Sequence, residues 1–190
     1  AETADTFTAG FVYQPGFNLG PLQGTTISLD YYDIEISDYI NNFSPQEVLD
    51  QCYIAGDLNE CAKVNRIGGS LATAGSGVEV FTTNLDYIRT EGVDLVASTG
   101  LDFDQYGALD FSFYGSFLMT QESLSSSASP VIDCLGKFGN DCYPTPEFRF
   151  QQRTSWSMGP ASVSLNWRHL GEVEIQDTQK ANTFPGFQKI

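Results

Sequence analysis

Between Ala108 and Met119 the chain reads ALDFSFYGSFLM, and its residues sort by parity. Leu109, Phe111, Phe113, Phe117 and Met119 are odd, while Asp110, Ser112, Tyr114 and Ser116 are even. A period of two describes a β-strand with one strongly apolar face and one polar face. Whatever this chain folds into must give that apolar face something to touch, either a protein core or lipid.

Five further segments alternate in the same way. TFTAGFVY sets Phe7, Ala9, Phe11 and Tyr13 against Thr6, Thr8 and Gly10. TTISLDYYDIEISDYI starts with Ile27, Leu29 and Tyr31 in phase, then slips to Tyr32, Ile34 and Ile36. EGVDLVASTGL sets Val93, Leu95, Ala97 and Leu101 against Asp94, Ser98 and Gly100. FRFQQRTSWSM sets Phe148, Phe150, Trp156 and Met158 against Arg149, Gln151, Arg153 and Ser155. ASVSLNWRHL sets Ala161, Val163, Leu165 and Trp167 against Ser162, Ser164, Asn166 and Arg168. The chain reads as all-β, an antiparallel meander, with no helical domain and no internal repeat.

The connections have a rhythm. Those at 15–24, 102–107 and 159–160 are short; those at about 41–80, about 121–146 and 174 onward are long. Short turns alternating with long loops are the pattern of an outer-membrane barrel, with the turns inside and the loops outside. Within the first long loop, SPQEVLDQC offers Ser44 as N-cap, Pro45 at the first helical position and Glu47 to complete a capping box, which predicts a short loop helix.

Composition narrows the partners. With 190 residues the chain is long enough for one domain and a sizeable core. Hydrophobic residues make up 41%, so disorder is not the expectation. A formal net charge of −15 argues against nucleic acid and anionic lipid headgroups. No apolar run approaches the roughly 18 residues of a membrane helix. The opening AETADTFTAG lacks the basic start and apolar stretch of a signal peptide and is already strand-like, so the gene product is expected to begin upstream.

The four cysteines, Cys52, Cys61, Cys134 and Cys142, all lie in the long loops. They allow three pairings, of which the near-neighbour one, Cys52–Cys61 with Cys134–Cys142, closes two short loops. Zinc is the rival. Neither pair has a knuckle spacing of roughly two to four residues, and His169, the sole histidine, is distant in sequence. Disulfides imply an oxidising, extracytoplasmic compartment.

A soluble secreted β-sandwich would turn its polar strand faces to water. Here the polar parity carries Asp94, Asp110, Arg149, Arg153, Asn166 and Arg168 among small Ser and Thr residues. Aromatic residues collect toward strand ends, at Tyr13, Tyr31, Phe103, Trp156 and Trp167, as in the girdles of membrane barrels. The apolar spans suit the roughly 9–11 residues of a tilted membrane strand. No Lys, Arg, Asp or Glu falls on the apolar parity in mid-span. Arg89 and Glu91 share that parity but precede Val93, and are expected above the bilayer. This pattern predicts a lipid-facing set of Leu109, Phe111, Phe113, Phe117, Val163 and Leu165. It predicts a lumen-facing set of Asp94, Tyr114, Arg149, Arg153, Asn166 and Arg168. Six strands are fewer than the about eight that close a membrane barrel, and open edges in lipid are too costly. Residues 1–190 are therefore expected to be part of a larger barrel.

Several stretches resemble one family. ETADTFTAGFVYQP resembles the segment that opens the late barrel strands of TonB-dependent outer-membrane receptors. ISLDYYDIEISDYI is similar to the strand that follows it. TTNLDYIRTEGVDL resembles a further segment, with Asn84, Thr90, Gly92, Val93 and Asp94 in place, and GALDFSFYGSFL and VSLNWRHLG are similar to the strands after that. The cysteines in two late loops look like a large subgroup of such receptors. The resemblance covers nearly the whole chain. It implies part of a barrel of about 22 strands closed by an N-terminal plug. The implied activity is TonB-driven uptake of a scarce, bulky nutrient such as a siderophore, cobalamin or an oligosaccharide. It further implies location in the bacterial outer membrane, a TonB-binding segment upstream, an extracellular small-molecule or glycan ligand, and no enzymatic activity. The other functions considered are the secreted sandwich as a ligand-binding module and a passive porin.

Other candidate sites read as structural. His169 has no nucleophile or orienting acid near it in sequence. GGSLATAGSG (68–77) is glycine-rich, but no helix or Lys-Ser/Thr follows to make a phosphate loop. Asp102 and Asp104 fall in a predicted turn. Asp50, Asp57 and Glu60 lack a calcium-ligand ladder. No catalytic residue, cofactor or metal is expected. Arg149, Arg153 and Arg168 are the informative set, because cations lining a lumen meet plug carboxylates or an anionic substrate.

Overall fold

The computed structural model describes residues 1–15, 22–125 and 129–176. Six long strands dominate: β1 (Thr3–Tyr13), β2 (Leu22–Ser37), β3 (Tyr87–Asp102), β4 (Ala108–Leu124), β5 (Phe148–Met158) and β6 (Ala161–Leu170). They join one sheet in the order β1-β2-β3-β4-β5-β6, and a two-residue strand, Ile132–Asp133, pairs with β4 as its seventh member. Sequence neighbours are sheet neighbours, which is the predicted meander. The pairs β4–β5 and β5–β6 are antiparallel. No helix among the described residues is long and apolar enough to cross a membrane.

Tight turns follow from local chemistry. Met158 pairs directly with Ala161, so Gly159 and Pro160 form a two-residue turn, with Gly159 at φ 56. Between β3 and β4 a 3-10 turn covers Asp104–Tyr106. It is closed by the Phe103 N–H to the Gly107 carbonyl at 2.9 Å, and the Asp102 carboxylate accepts the Asp104 N–H at 2.9 Å. Asp102 is thus a turn-making residue, as sequence implies.

The chain divides into two compact units. The first comprises residues 1–5, 35–89 and 122–132. Its helix α1 (Pro45–Tyr53) begins with the predicted capping box: Ser44 Oγ accepts the Glu47 N–H at 3.2 Å, and Glu47 Oε2 accepts the Ser44 N–H at 2.7 Å. Ser125 donates its hydroxyl to the other Glu47 oxygen. A second short helix, α2 (Leu58–Cys61), is capped by Asp57. Val48 is fully buried, and Cys52 and Leu85 nearly so. Two small antiparallel pairs, Ile40–Asn42 with Thr82–Asn84 and Val64–Asn65 with Gly77–Val78, complete this unit. Burial, with the Glu47 carboxylate adding to it, pushes the Tyr39 phenol above its ordinary range, so it stays neutral at physiological pH.

The second unit comprises residues 6–34, 90–121 and 133–190. Besides its strands it holds a parallel two-residue pair, Lys137–Phe138 with Glu174–Ile175, and buries Cys142, Val173 and Ile175. The predicted long connection from residue 174 onward is described only to Gln176.

One expectation is corrected. The alternation in β2 suggests that the apolar phase passes from Tyr31 to Tyr32, Ile34 and Ile36, yet Tyr32 stands on the polar side. Tyr32 lies against Gly92 on β3 and hydrogen-bonds Ser116 on β4, which pairs with Arg149 in the polar rows. The physical reason is room. A Cβ at Gly92 would stand 2.6 Å from the Tyr32 hydroxyl, so only glycine leaves a slot for the ring on that side.

Candidate functional site

Residues directly opposite one another in an antiparallel ladder project from the same face. On the polar side of β4, β5 and β6 the rows are Ser116–Arg149–Leu170, Tyr114–Gln151–Arg168, Ser112–Arg153–Asn166 and Asp110–Ser155–Ser164. Arg168 is therefore diagonal to both Arg149 and Arg153, on the order of 7–8 Å between backbone positions. The three arginines form one exposed patch. Arg153 Nη2 donates to Ser164 Oγ at 3.3 Å, and Ser164 shares a 2.9 Å hydrogen bond with Ser155. Among the described residues no carboxylate reaches ion-pair distance of these three guanidinium groups.

Asp94 and Tyr114 gather a few residues away. Both, with Arg149, lie close enough to act electrostatically on the Tyr32 hydroxyl. Asp94 Oδ1 is buried and has no hydrogen-bond partner among the described residues. The structure thus brings all six predicted polar-face residues onto the second unit's strands. It adds Tyr32, which sequence reasoning assigned to the apolar phase. The glycine in TEGVDL was the available signal, since a lone glycine in a strand marks a close approach.

The opposite side is apolar. Its rows are Phe117–Phe148, Gly115–Phe150–His169, Phe113–Gln152–Trp167, Phe111–Thr154–Leu165 and Leu109–Trp156–Val163. Phe150 is the centre of a ring cluster, 5.6 Å from Phe113, 5.2 Å from Trp167 and 5.2 Å from His169. His169 is part of that aromatic cluster. At the other end of β5, Trp156 Nε1 donates to the Tyr106 carbonyl at 3.0 Å, which fixes the indole beside the turn. Val163 and Leu165 are 64% and 67% exposed, so among the described residues no second sheet covers this face as it would in a sandwich. Gln152 and Thr154 also stand on it, and sequence analysis passed over both. Glu91, on the same parity, accepts hydrogen bonds from the Tyr31 hydroxyl at 2.7 Å and from Thr120 Oγ1 at 3.1 Å.

The loop candidates resolve as structural. Cys52 pairs with Cys61 and Cys134 with Cys142, the near-neighbour pattern. Asp50 accepts from Gln46 Nε2 at 2.8 Å, Asp57 caps α2, and Glu60 pairs with Lys63 at 2.6 Å. No group of three potential metal ligands occurs among the described residues. The 68–77 segment is a turn with Gly68, Gly69 and Gly75 at positive φ, and it leads into the Gly77–Val78 strand rather than a helix.

A single meandering sheet with one exposed aromatic and aliphatic face and one polar, arginine-bearing face defines a wall of a membrane β-barrel. The family model described as "TonB dependent receptor-like, beta-barrel" matches residues 1–189, and the chain belongs to that family. No curated protein matches it, and no solved structure does. Barrels of this family belong to transporters of the bacterial outer membrane rather than to enzymes. Membership sets aside the secreted sandwich.

Proposed function

We propose that this chain is a stretch of barrel wall in a receptor that imports a scarce, bulky nutrient, of the siderophore, cobalamin or oligosaccharide kind, with energy delivered through TonB. The polar rows face the lumen and the apolar rows face lipid. The disulfide-closed loops stand outside and meet the ligand. The plug and the TonB-binding segment come from parts of the receptor beyond these residues, as do strands that pair with the free edges of β1 and β6. Open edges in hydrocarbon would leave a row of unpaired N–H and C=O groups.

The observation that carries this is the arginine patch. Guanidinium groups in a confined lumen seek carboxylates, which they bind as a fork, and among the described residues none is within reach. Arg149, Arg153 and Arg168 therefore seat the plug. Replacing Arg153 and Arg168 together by Gln loosens it. The expected result in cells carrying the full-length receptor is greater entry of large antibiotics, with ligand affinity of the purified receptor nearly unchanged. An affinity loss beyond tenfold (about 1.4 kcal/mol) with leakage at the wild-type level would make the patch a substrate site instead.

A further inference from the structure

One cation of the first unit rests on a ring rather than on a carboxylate. Between Glu35 and Arg89 the sequence carries eight Asp and Glu residues against three Lys and Arg. Lys63 takes one of the acids, Glu60, at 2.6 Å. Arg66 takes none. Its guanidinium carbon stands 5.0 Å from the centre of the Tyr53 ring, and among the described residues no carboxylate or carbonyl accepts from it. Both partners are held in place. Tyr53 ends α1, next to the bridged Cys52. Arg66 follows the strand Val64–Asn65, where the Glu79 N–H donates to the Lys63 carbonyl at 2.9 Å and the Ile67 N–H donates to Ser76 Oγ at 2.9 Å. Two apolar side chains of the α1–α2 turn also face outward: Ile54 is 82% exposed and Leu58 81%.

We propose that Arg66, seated on Tyr53, is a ligand subsite of the outer loop that takes a small molecule with one carboxylate on an aromatic or aliphatic body. This narrows the ligand of the receptor reading above, and it rests on that reading for the placement of the loop outside. Three features select the chemistry. A guanidinium held over a ring keeps its N–H edge open, and that planar fork matches a carboxylate with two parallel hydrogen bonds. The surrounding acids put a negative field over the segment, so a group with one negative charge approaches at less cost than a phosphate, which carries about −1.5 to −2 at neutral pH. The exposed Tyr53, Ile54 and Leu58 offer apolar surface to the body of such a ligand. Stacking on Tyr53 also limits the rotamers that Arg66 loses on binding.

The test uses the full-length receptor in lipid nanodiscs and three probes of one shape: naphthalene-2-carboxylate, the uncharged naphthalene-2-carboxamide and 2-naphthyl phosphate. Binding is read by saturation-transfer NMR. The carboxylate should bind the wild type, and more tightly than either of the others. Arg66→Gln should weaken it about tenfold or more, and Arg66→Lys, which keeps the charge without the planar fork, should recover only part of that loss. Arg66 is exposed, so neither variant should disturb folding, and heat-shifted gel mobility checks this. A second arm tests the placement of the loop. Ala74→Cys, exposed in the hairpin that follows Arg66, is treated in intact cells with a membrane-impermeant maleimide, against the parent receptor, whose described cysteines are all in disulfides. Labelling of Ala74→Cys, together with no binding of the carboxylate at millimolar concentration, binding indifferent to Arg66→Gln, full affinity in Arg66→Lys, or a preference for the phosphate, overturns the subsite alone. Absence of labelling at Ala74→Cys overturns the outer placement of the loop and the subsite together.

Discussion

Replacing Phe113 by Arg puts the two-faced wall to its hardest test. The paired apolar span on β4 runs from Leu109 to Phe117, nine residues, and Phe113 is its midpoint. A guanidinium facing lipid at the midplane costs about 2–4 kcal/mol. The substitution also removes the ring contact with Phe150 at 5.6 Å, a pair worth about 0.5–1.5 kcal/mol. The expected loss is therefore on the order of 3–5 kcal/mol. The choice of control matters. Ser112 is the sequence neighbour on the polar face, but it stands directly opposite Arg153, so an arginine there meets a like charge. That costs up to about 1 kcal/mol. Ser155 stands opposite Asp110, so Ser155→Arg should be neutral or slightly stabilising by the same cross-strand logic. The expected order of destabilisation is Phe113→Arg far above Ser112→Arg, and Ser112→Arg above Ser155→Arg. The assay is reversible folding of the full-length receptor into lipid vesicles, followed by denaturant titration. Equal tolerance of arginine at Phe113 and Ser155 would refute the assignment of faces.

Two further substitutions probe the rest of the chain. Gly92→Ala should impair folding of the receptor severely, because the added Cβ would stand 2.6 Å from the Tyr32 hydroxyl and 2.7 Å from the Phe117 carbonyl oxygen, of which only the first can move; wild-type folding yield and stability would contradict this. Removing the Cys52–Cys61 bridge, which spans a sequence separation of 9, should cost the α1–α2 loop about 2–3 kcal/mol in the chain-entropy account, read as faster proteolytic nicking of that loop with the barrel intact. Peptide mapping of native receptor under non-reducing conditions checks the pairing itself, and a fragment linking Cys52 to Cys134 or Cys142 would overturn it.

Most of the fold was legible because strand parity is a strong signal. Alternation at 108–119, 148–158 and 161–168 sorts the residues into two sides, and the ladders align Arg149, Arg153, Asn166 and Arg168 on one of them as parity requires. The loop helix was legible from Ser44, Pro45 and Glu47 because capping is local chemistry. What sequence hid is what depends on a neighbour. Tyr31 and Tyr32 are both aromatic, so hydropathy cannot say which faces inward; Gly92, sixty residues away, decides it. Gln152 and Thr154 were passed over because four apolar residues around them dominate the pattern of β5. Arg153's diagonal neighbour on β6 became definite only with the Met158–Ala161 register.

The arginines that would seat a plug also bear on strand register, and the two roles can be separated. Side chains alternate with period two, so slipping β5 by one residue against β4 would turn Arg149 and Arg153 to the apolar face. Arg153 is near mid-strand, where the penalty in lipid is about 2–4 kcal/mol, and Arg149 is near the strand end, where it is about 0–1. A slip therefore costs on the order of 2–5 kcal/mol before any aromatic contact is lost. Gln at 153 and 168 relaxes both the register and the proposed seating, so leakage in that variant alone does not distinguish them. Lysine does. Arg153→Lys with Arg168→Lys keeps the charges, and with them the register penalty, but removes the planar fork that grips a carboxylate with two hydrogen bonds. If the patch seats the plug, the lysine variant should fold with wild-type stability in vesicles and still leak. If it serves register alone, the lysine variant should neither leak nor lose stability, and the seating role falls.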